Sequence, residues 1–258
     1  MDLPTVTVII PNYNYSKWIP DALASIAIQD YPKKQIVVVD DCSTDNSWET
    51  VNELLNDKVE IKTEYGKANI GMYCGIPITN LVLDKNGGPG RARNIGVKLA
   101  WDVTHIYAFL DSDDLYMPGK ISKSVSIILE DPDIIGAVYS DYDSLNLKTG
   151  IAVREYKEPF SRDRLVQECI VNNDTVVTKL ALDKAGLYDE EMRVCEDYDL
   201  WMRVSERFVI VHIPEGLVTV RVTGEGATFC VDQKIWQQNW QRIMTKSQQR
   251  LNAQRSIG

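Results

Sequence analysis

Four polar clusters in this sequence have residue types and spacings that suit chemistry. Asp111-Ser112-Asp113-Asp114 follows the apolar run Ile106–Leu110. Two carboxylates one residue apart stand about 7 Å from each other on extended backbone, at about 3.4 Å per residue. One can take a divalent cation while the other takes a sugar or ribose hydroxyl. Carboxylate oxygens suit Mg2+ or Mn2+, which keep several waters and bind substrate phosphates as well. The same residues would equally serve as caps in a solvated loop. The second cluster runs from Asn86-Gly87-Gly88-Pro89-Gly90 through Arg93-Asn94-Ile95-Gly96. A glycine-rich turn feeding a helix offers free backbone N–H groups to an anion, and Arg93 can add a charge-assisted phosphate contact. No Gly-Lys-Ser/Thr follows, and Arg93 stands where a dinucleotide loop carries its third glycine. The third, Asp40-Asp41, ends the run Ile36–Val39 and suits ribose hydroxyls, a base edge or a helix cap. The fourth is Glu196-Asp197-Tyr198-Asp199, downstream of Gly186–Glu190. Carboxylates at a helix start are favoured by the macrodipole; one that faces a crevice would act as a general base.

The elements that must position these clusters alternate. Val6–Ile10 reads as a buried strand that Pro11 stops, and Ile19, Leu23, Ile26 and Ala27 share one helix face. Ile36–Val39 is a second strand, and Trp48, Val51, Leu54 and Leu55 stripe a second helix. Val59–Lys62 and Leu81–Leu83 are strand-like, with an irregular segment between them. A helix from near Gly90, a strand at Ile106–Leu110, a helix through Ile121–Leu129 and a strand at Gly136–Tyr139 follow. The order β-α-β-α-β-β-α-β-α-β predicts an α/β fold, a mostly parallel central sheet flanked by helices. Ligands of such sheets sit beyond the carboxyl ends of the strands. Pro11-Asn12-Tyr13-Asn14, Asp40-Asp41 and Asp111–Asp114 occupy three such ends and should converge on one crevice. Residues 145–175 read as a loop-rich wall, 197–207 as a helix, and 208–222 as two short strands around Pro214-Glu215-Gly216. From Asp232 a Gln-rich amphipathic helix is expected, with Trp236 and Trp240 packing on the core in preference to lining an acceptor cleft or a dimer face.

Composition narrows the partners. The 258 residues carry 28 Lys and Arg against 37 Asp and Glu, a net charge of −9. That balance argues against nucleic acid, which calls for clustered cations. No run approaches the roughly 18 apolar residues of a spanning helix, and Met1-Asp2-Leu3-Pro4 does not start a signal peptide, so a cytoplasmic protein is expected. Five cysteines without a CxxC pair suggest reduced thiols. His105 and His212 have no neighbours at metal spacing, which leaves zinc-hydrolase and Ser-His-Asp chemistry without parts.

Taken together and in order, these motifs resemble a GT-A-fold nucleotide-sugar glycosyltransferase of the inverting family 2. The likeness rests on Val8–Asn14, Val37–Asp45, Asn86–Gly96, Phe109–Asp114, Gly186–Glu190 and Glu196–Trp201. It implies a single GT-A domain over 1–231, nucleotide-binding over about 1–114 and acceptor-binding over 115–231, followed by a helix and tail at 232–258. By this resemblance Pro11, Tyr13 and Asn14 line the nucleotide pocket, and Asp41 meets the base with Asp40 beside it. Arg93 sits near the diphosphate or ribose, Asp111 and Ser112 meet the donor, Asp113 binds Mn2+ or Mg2+, and Asp197 is the catalytic base. The implied reaction moves one sugar from a nucleoside-diphosphate donor, UDP being the expected nucleotide, to a glycan, lipid-linked or small-molecule hydroxyl. A homodimer is left open. Two departures stand out: residues 64–80 look like an insertion, and Arg221–Gly226 lacks the histidine that many relatives carry there. The processive Gln-x-x-Arg-Trp signature is also absent, since Met202-Arg203 follows Trp201. A nucleotidyltransferase making nucleotide sugars, or a non-catalytic nucleotide- or sugar-binding relative, are the competing readings.

Overall fold

Val6–Asn12 (β1) is buried at every position, as a strand covered on both faces must be. In the computed structural model, which describes residues 2–222 and 232–255, this strand is the axis of the sheet. It pairs in parallel with β2 (Lys34–Asp40) and β6 (Ile106–Phe109), and β2 pairs in parallel with β5 (Ile76–Leu83). The register sets Asn12 opposite Asp40 and Ile9 opposite both Val37 and Phe109. The carboxyl ends of these strands are therefore level, which brings the three polar clusters to one edge.

Alternation along β1 feeds two core layers. Ile9 joins Val39, Phe109, Tyr139 and Trp201 on one face, and Ile10 joins Val38, Leu23, Ile121 and Val125 on the other. The first face is covered by α3 (Pro89–Leu99), α6 (Lys179–Ala185), α7 (Glu196–Val204) and α8 (Gln233–Arg255). The second is covered by α1 (Ile19–Ala27), α2 (Ser47–Leu54) and α4 (Lys120–Ile128). Burial of each large apolar side chain contributes about 1.5–3 kcal/mol. Helix α3 lies so close to β1 that a Cβ on Gly96 would stand 2.7 Å from Ile9 Cγ2; only glycine fits there.

Away from this centre the sheet is mixed: most pairs are antiparallel, but Val209–Val222 runs parallel to Ile135–Asn146. Among the described residues it has eleven strands, ordered β3-β4-β5-β2-β1-β6-β10-β8-β11-β7, with β9 on β8. The outer strands are β3 (Asn56–Lys62), β4 (Gly66–Tyr73), β7 (Leu115–Tyr116), β8 (Ile135–Asn146), β9 (Ile151–Glu155), β10 (Val176–Thr178) and β11 (Val209–Val222). Three expectations need correction. The segment 64–80 is regular: β4 and β5 form a hairpin whose turn, Cys74-Gly75, has φ of 48° and 79°, the two positive values of a type I′ turn. Its strands escape a pattern search because polar residues lie inside, with Asn69 and Asn80 both donating to Asn52 Oδ1 at 2.9 and 3.0 Å. Val209–Val222 forms one strand, not two, because Pro214-Glu215-Gly216 is absorbed as register shifts against β8. The wall at 145–175 contains the end of β8, β9 and the short helix α5 (Arg162–Gln167). At the C-terminus Trp236 packs partly on the core as expected, but Trp240 remains 41% exposed. No helix among the described residues is long and apolar enough to cross a membrane.

Candidate active site

The first wall of the crevice is built from strand ends that hold one another. Asp40, buried at the end of β2, accepts from Asn12 Nδ2 at 2.9 Å and from the Ser43 amide at 2.7 Å. Asn14 takes a positive φ of 61° and its Oδ1 accepts from the Thr44 amide at 2.8 Å. Both loops are thereby tied together, Pro11 lies buried beneath them, and Tyr13 stands 46% exposed above. Asp41 is also buried; its two carboxylate oxygens accept the amides of Gly87 and Gly88 at 2.8 and 2.6 Å. Asn86 closes the contact by donating to the Asp41 carbonyl at 2.9 Å. The carboxylate thus shapes the glycine-rich turn that starts α3. Burial raises the carboxyls of Asp40 and Asp41 above the ordinary value, against the pull of these amides.

The second wall is the loop after β6. Asp111 is partly exposed, Ser112 is buried, and Asp113 is partly buried. Burial pushes the Asp113 carboxyl up to about 6, with the Asp111 charge adding to it. Asp114 is turned inward and accepts the Arg221 amide at 2.9 Å. The Arg221 guanidinium, stacked 4.8 Å from the Trp18 ring, reaches Asp21 at 2.8 Å and the Asp113 carbonyl. Asn173, from the wall at 145–175, donates to both Asp111 oxygens at 3.0 and 3.1 Å, and its own Oδ1 is buried without a partner.

Arg93 links this loop to α7. Its side chain is 4% exposed, and its two terminal nitrogens donate to Asp111 Oδ1 at 2.7 Å and Glu196 Oε1 at 2.8 Å. Burial opposes the guanidinium charge, but Asp111 and then Glu196 outweigh it and hold the arginine firmly protonated. Arg93 is therefore committed to protein carboxylates rather than presented freely to a phosphate. Next to Glu196, Asp197 sits in the first turn of α7, where Cys195 caps the helix in a left-handed conformation with φ 63°. Asp197 Oδ1 accepts the Tyr198 amide at 2.8 Å. Burial raises its carboxyl, the Tyr198 amide and Arg93 pull it down, and Asp111 pushes it up. The charges of Arg93 and Asp111 thus both act on Asp197, and Arg93 itself bridges Asp111 and the neighbouring Glu196.

The strand ends predict Pro11, Tyr13, Asn14, Asp40, Asp41, Asp111, Ser112 and Asp113 as one group, and the register of β1, β2 and β6 sets those ends level; Asp197, implied by the resemblance alone, comes from the first turn of α7, where the charges of Arg93 and Asp111 act on it. Glu196 as the partner of Arg93, Asn173 as the partner of Asp111, and Arg221 as the clamp on Asp113-Asp114 were not foreseen. Each pairing joins residues 62 to 108 positions apart in sequence, beyond the reach of local patterning. The loop in which relatives carry a histidine lies from residue 223 onward, outside the described residues.

Comparison with known proteins follows the same frame. The model of glycosyl transferase family 2 matches residues 7–180. An uncharacterized glycosyltransferase of Rickettsia felis is 31% identical over 87% of this chain, which spans 34% of that protein's length. A UDP-Glc:alpha-D-GlcNAc-diphosphoundecaprenol beta-1,3-glucosyltransferase of Escherichia coli is 26% identical over 79% of this chain and 71% of its own. Among solved structures, Staphylococcus aureus TarS 1–349 in complex with UDP-GlcNAc superposes with a TM-score of 0.72 at 21% identity, over 94% of this chain and 66% of that one. With the matched model covering most of the sheet and all of the first wall, the chain belongs to glycosyl transferase family 2.

Proposed function

We propose that this chain transfers a single sugar, with inversion, from a UDP-sugar to an acceptor hydroxyl. The observation that carries the reading is the Arg93 bridge, which holds the donor-side Asp111 and the first turn of α7 in one charge network. The nucleotide would lie on the exposed Tyr13 ring, over the turn that Asp41 shapes. UDP is supported by the E. coli relative, named for UDP-Glc, and by the TarS complex with UDP-GlcNAc.

A divalent cation fits the residues present. Asp111, Asp113 and the unpartnered Asn173 Oδ1 are oxygen donors, the set that Mg2+ and Mn2+ prefer. Among the described residues no group of three or more His, Cys, Asp and Glu side chains could hold a metal, and Asp113, with Asp111 and Asn173 beside it, would be the residue that holds the cation. Bound there, the cation neutralises charge on the departing nucleotide. The chain's own residues do the rest. Arg93 fixes the Asp111 carboxylate and Asn173 sets its plane, so that Asp111 can orient the donor. Asp197 takes the proton of the acceptor hydroxyl as its oxygen attacks the anomeric carbon from the face opposite the leaving diphosphate. The raised carboxyl of Asp197 makes it a stronger base than an ordinary aspartate. Incubation with UDP-glucose and UDP-N-acetylglucosamine tests the reading: release of UDP supports it, whereas release of pyrophosphate from UTP and a sugar phosphate would replace it with nucleotidyl transfer.

A further inference from the structure

Helix α8 closes a cavity of about 380 Å3 against the start of α7. Asp197 opens onto it beside Glu168, Gln237 and the rings of Tyr198, Trp236 and Trp240. Although Trp240 is 41% exposed, its place is set. It lines the cavity beside Tyr198, whose hydroxyl donates to the Leu165 carbonyl at 2.5 Å. The helix itself is fastened along the loop that leads to α7. Asn239 donates to the Val194 carbonyl at 3.0 Å, and Arg242 and Lys246 reach Asp189 at 3.1 and 2.7 Å. An aromatic cavity with a few convergent polar groups is what a small-molecule site requires.

We infer that this cavity receives a neutral pyranose ring of the acceptor, its C–H face against Trp240 and its attacking hydroxyl turned to Asp197. The inference rests on Asp197 being the base. Charge selects the class of acceptor. Among the described residues the lining holds two carboxylates, Glu168 and Asp197, and no cation, so a phosphate group there would meet like charge with no counterion among them. An indole face carries the negative side of its quadrupole, which suits the polarised C–H bonds of a sugar. Gln237 and Glu168 supply a donor and acceptors for the ring's other hydroxyls.

The test uses the full chain with excess UDP and three probes: methyl β-D-glucopyranoside, methyl N-acetyl-β-D-glucosaminide and ribitol 5-phosphate. Saturation-transfer NMR should mark the ring protons of at least one methyl glycoside and leave ribitol 5-phosphate unmarked. Trp240→Ala should weaken that glycoside at least tenfold and Trp240→Phe should retain most of the binding, with UDP affinity by calorimetry unchanged in both. Preference for ribitol 5-phosphate, glycoside binding indifferent to Trp240→Ala, or no glycoside signal would each overturn the inference. Intact UDP binding with no glycoside signal would overturn it alone. A Trp240-dependent glycoside signal without any UDP binding would uphold the cavity and overturn the donor reading.

Discussion

Arg93 and Glu196, separated by 103 residues, meet at 2.8 Å in the interior, and this pair joins the strand-end loops to the helix that carries Asp197. Removing one member of a buried pair leaves the other charge without compensation, which costs about 3–5 kcal/mol. Arg93→Met should therefore destabilise the chain by about that amount in urea unfolding. Because burial, with the Asp197 charge adding to it, lifts Glu196 to about 7 even against the pull of Arg93, Glu196→Gln should cost less than Arg93→Met. Equal costs would mean that the bridge to Asp111 contributes nothing separate.

Asp41 is predicted to act through the glycine-rich turn. Asp41→Ala leaves the Gly87 and Gly88 amides without their acceptor, at about 1–3 kcal/mol for each buried group left unpaired. Asp41→Asn keeps one acceptor oxygen and should lose roughly half as much. Thermal unfolding reads the stability, and nucleotide titration reads whether the turn still serves the donor.

Much of this was legible in the sequence, and the boundary is physical. Buried parallel strands such as Val6–Ile10 and Ile36–Val39 announce themselves as continuous apolar runs, and their carboxyl ends identify the site edge. The β4–β5 hairpin stayed hidden because Asn69 and Asn80 point inward and donate to Asn52 Oδ1, so its interior looks polar. The charge network stayed hidden for a different reason. Nothing in the sequence around Arg93 distinguishes an arginine facing a phosphate from one sealed between Asp111 and Glu196.

Asp197→Asn should abolish transfer, by about 10²–10⁴-fold, the usual worth of a general base. An Asn variant that kept more than about a tenth of the rate would exclude Asp197 from that role. The same change should stabilise the fold near neutral pH. The folded carboxyl titrates above its ordinary value of 3.8, so its favourable contribution belongs to low pH and disappears as pH rises through the folded value. The Tm gap between Asn variant and parent should therefore be largest near pH 7 and vanish in acid; a variant less stable than the parent at pH 7 would contradict this sign.

Activity should depend on pH through the same group. A base works deprotonated, so the acid limb of kcat/KM should rise with pH and lie above 3.8, because burial raises the Asp197 carboxyl. An acid limb at or below the ordinary aspartate value would show that another residue takes the proton.

Thiol chemistry checks the packing behind Asp197. Burial pushes Cys195 up to about 12 and Cys169 well above its usual value, whereas Cys74 lies exposed at a hairpin turn. Only the thiolate reacts readily, so iodoacetamide at pH 8 should label Cys74 long before Cys169 or Cys195 by peptide mapping. Comparable labelling of all three would mean that the wall around α7 opens in solution.

The most direct measurement is calorimetric titration of the purified chain with UDP, GDP and dTDP, each with and without Mn2+, repeated on Asp113→Ala. The account predicts UDP binding that Mn2+ tightens, and loss of that Mn2+ dependence in Asp113→Ala. Failure of all three nucleotides to bind, or Mn2+ dependence that survives Asp113→Ala, would contradict it.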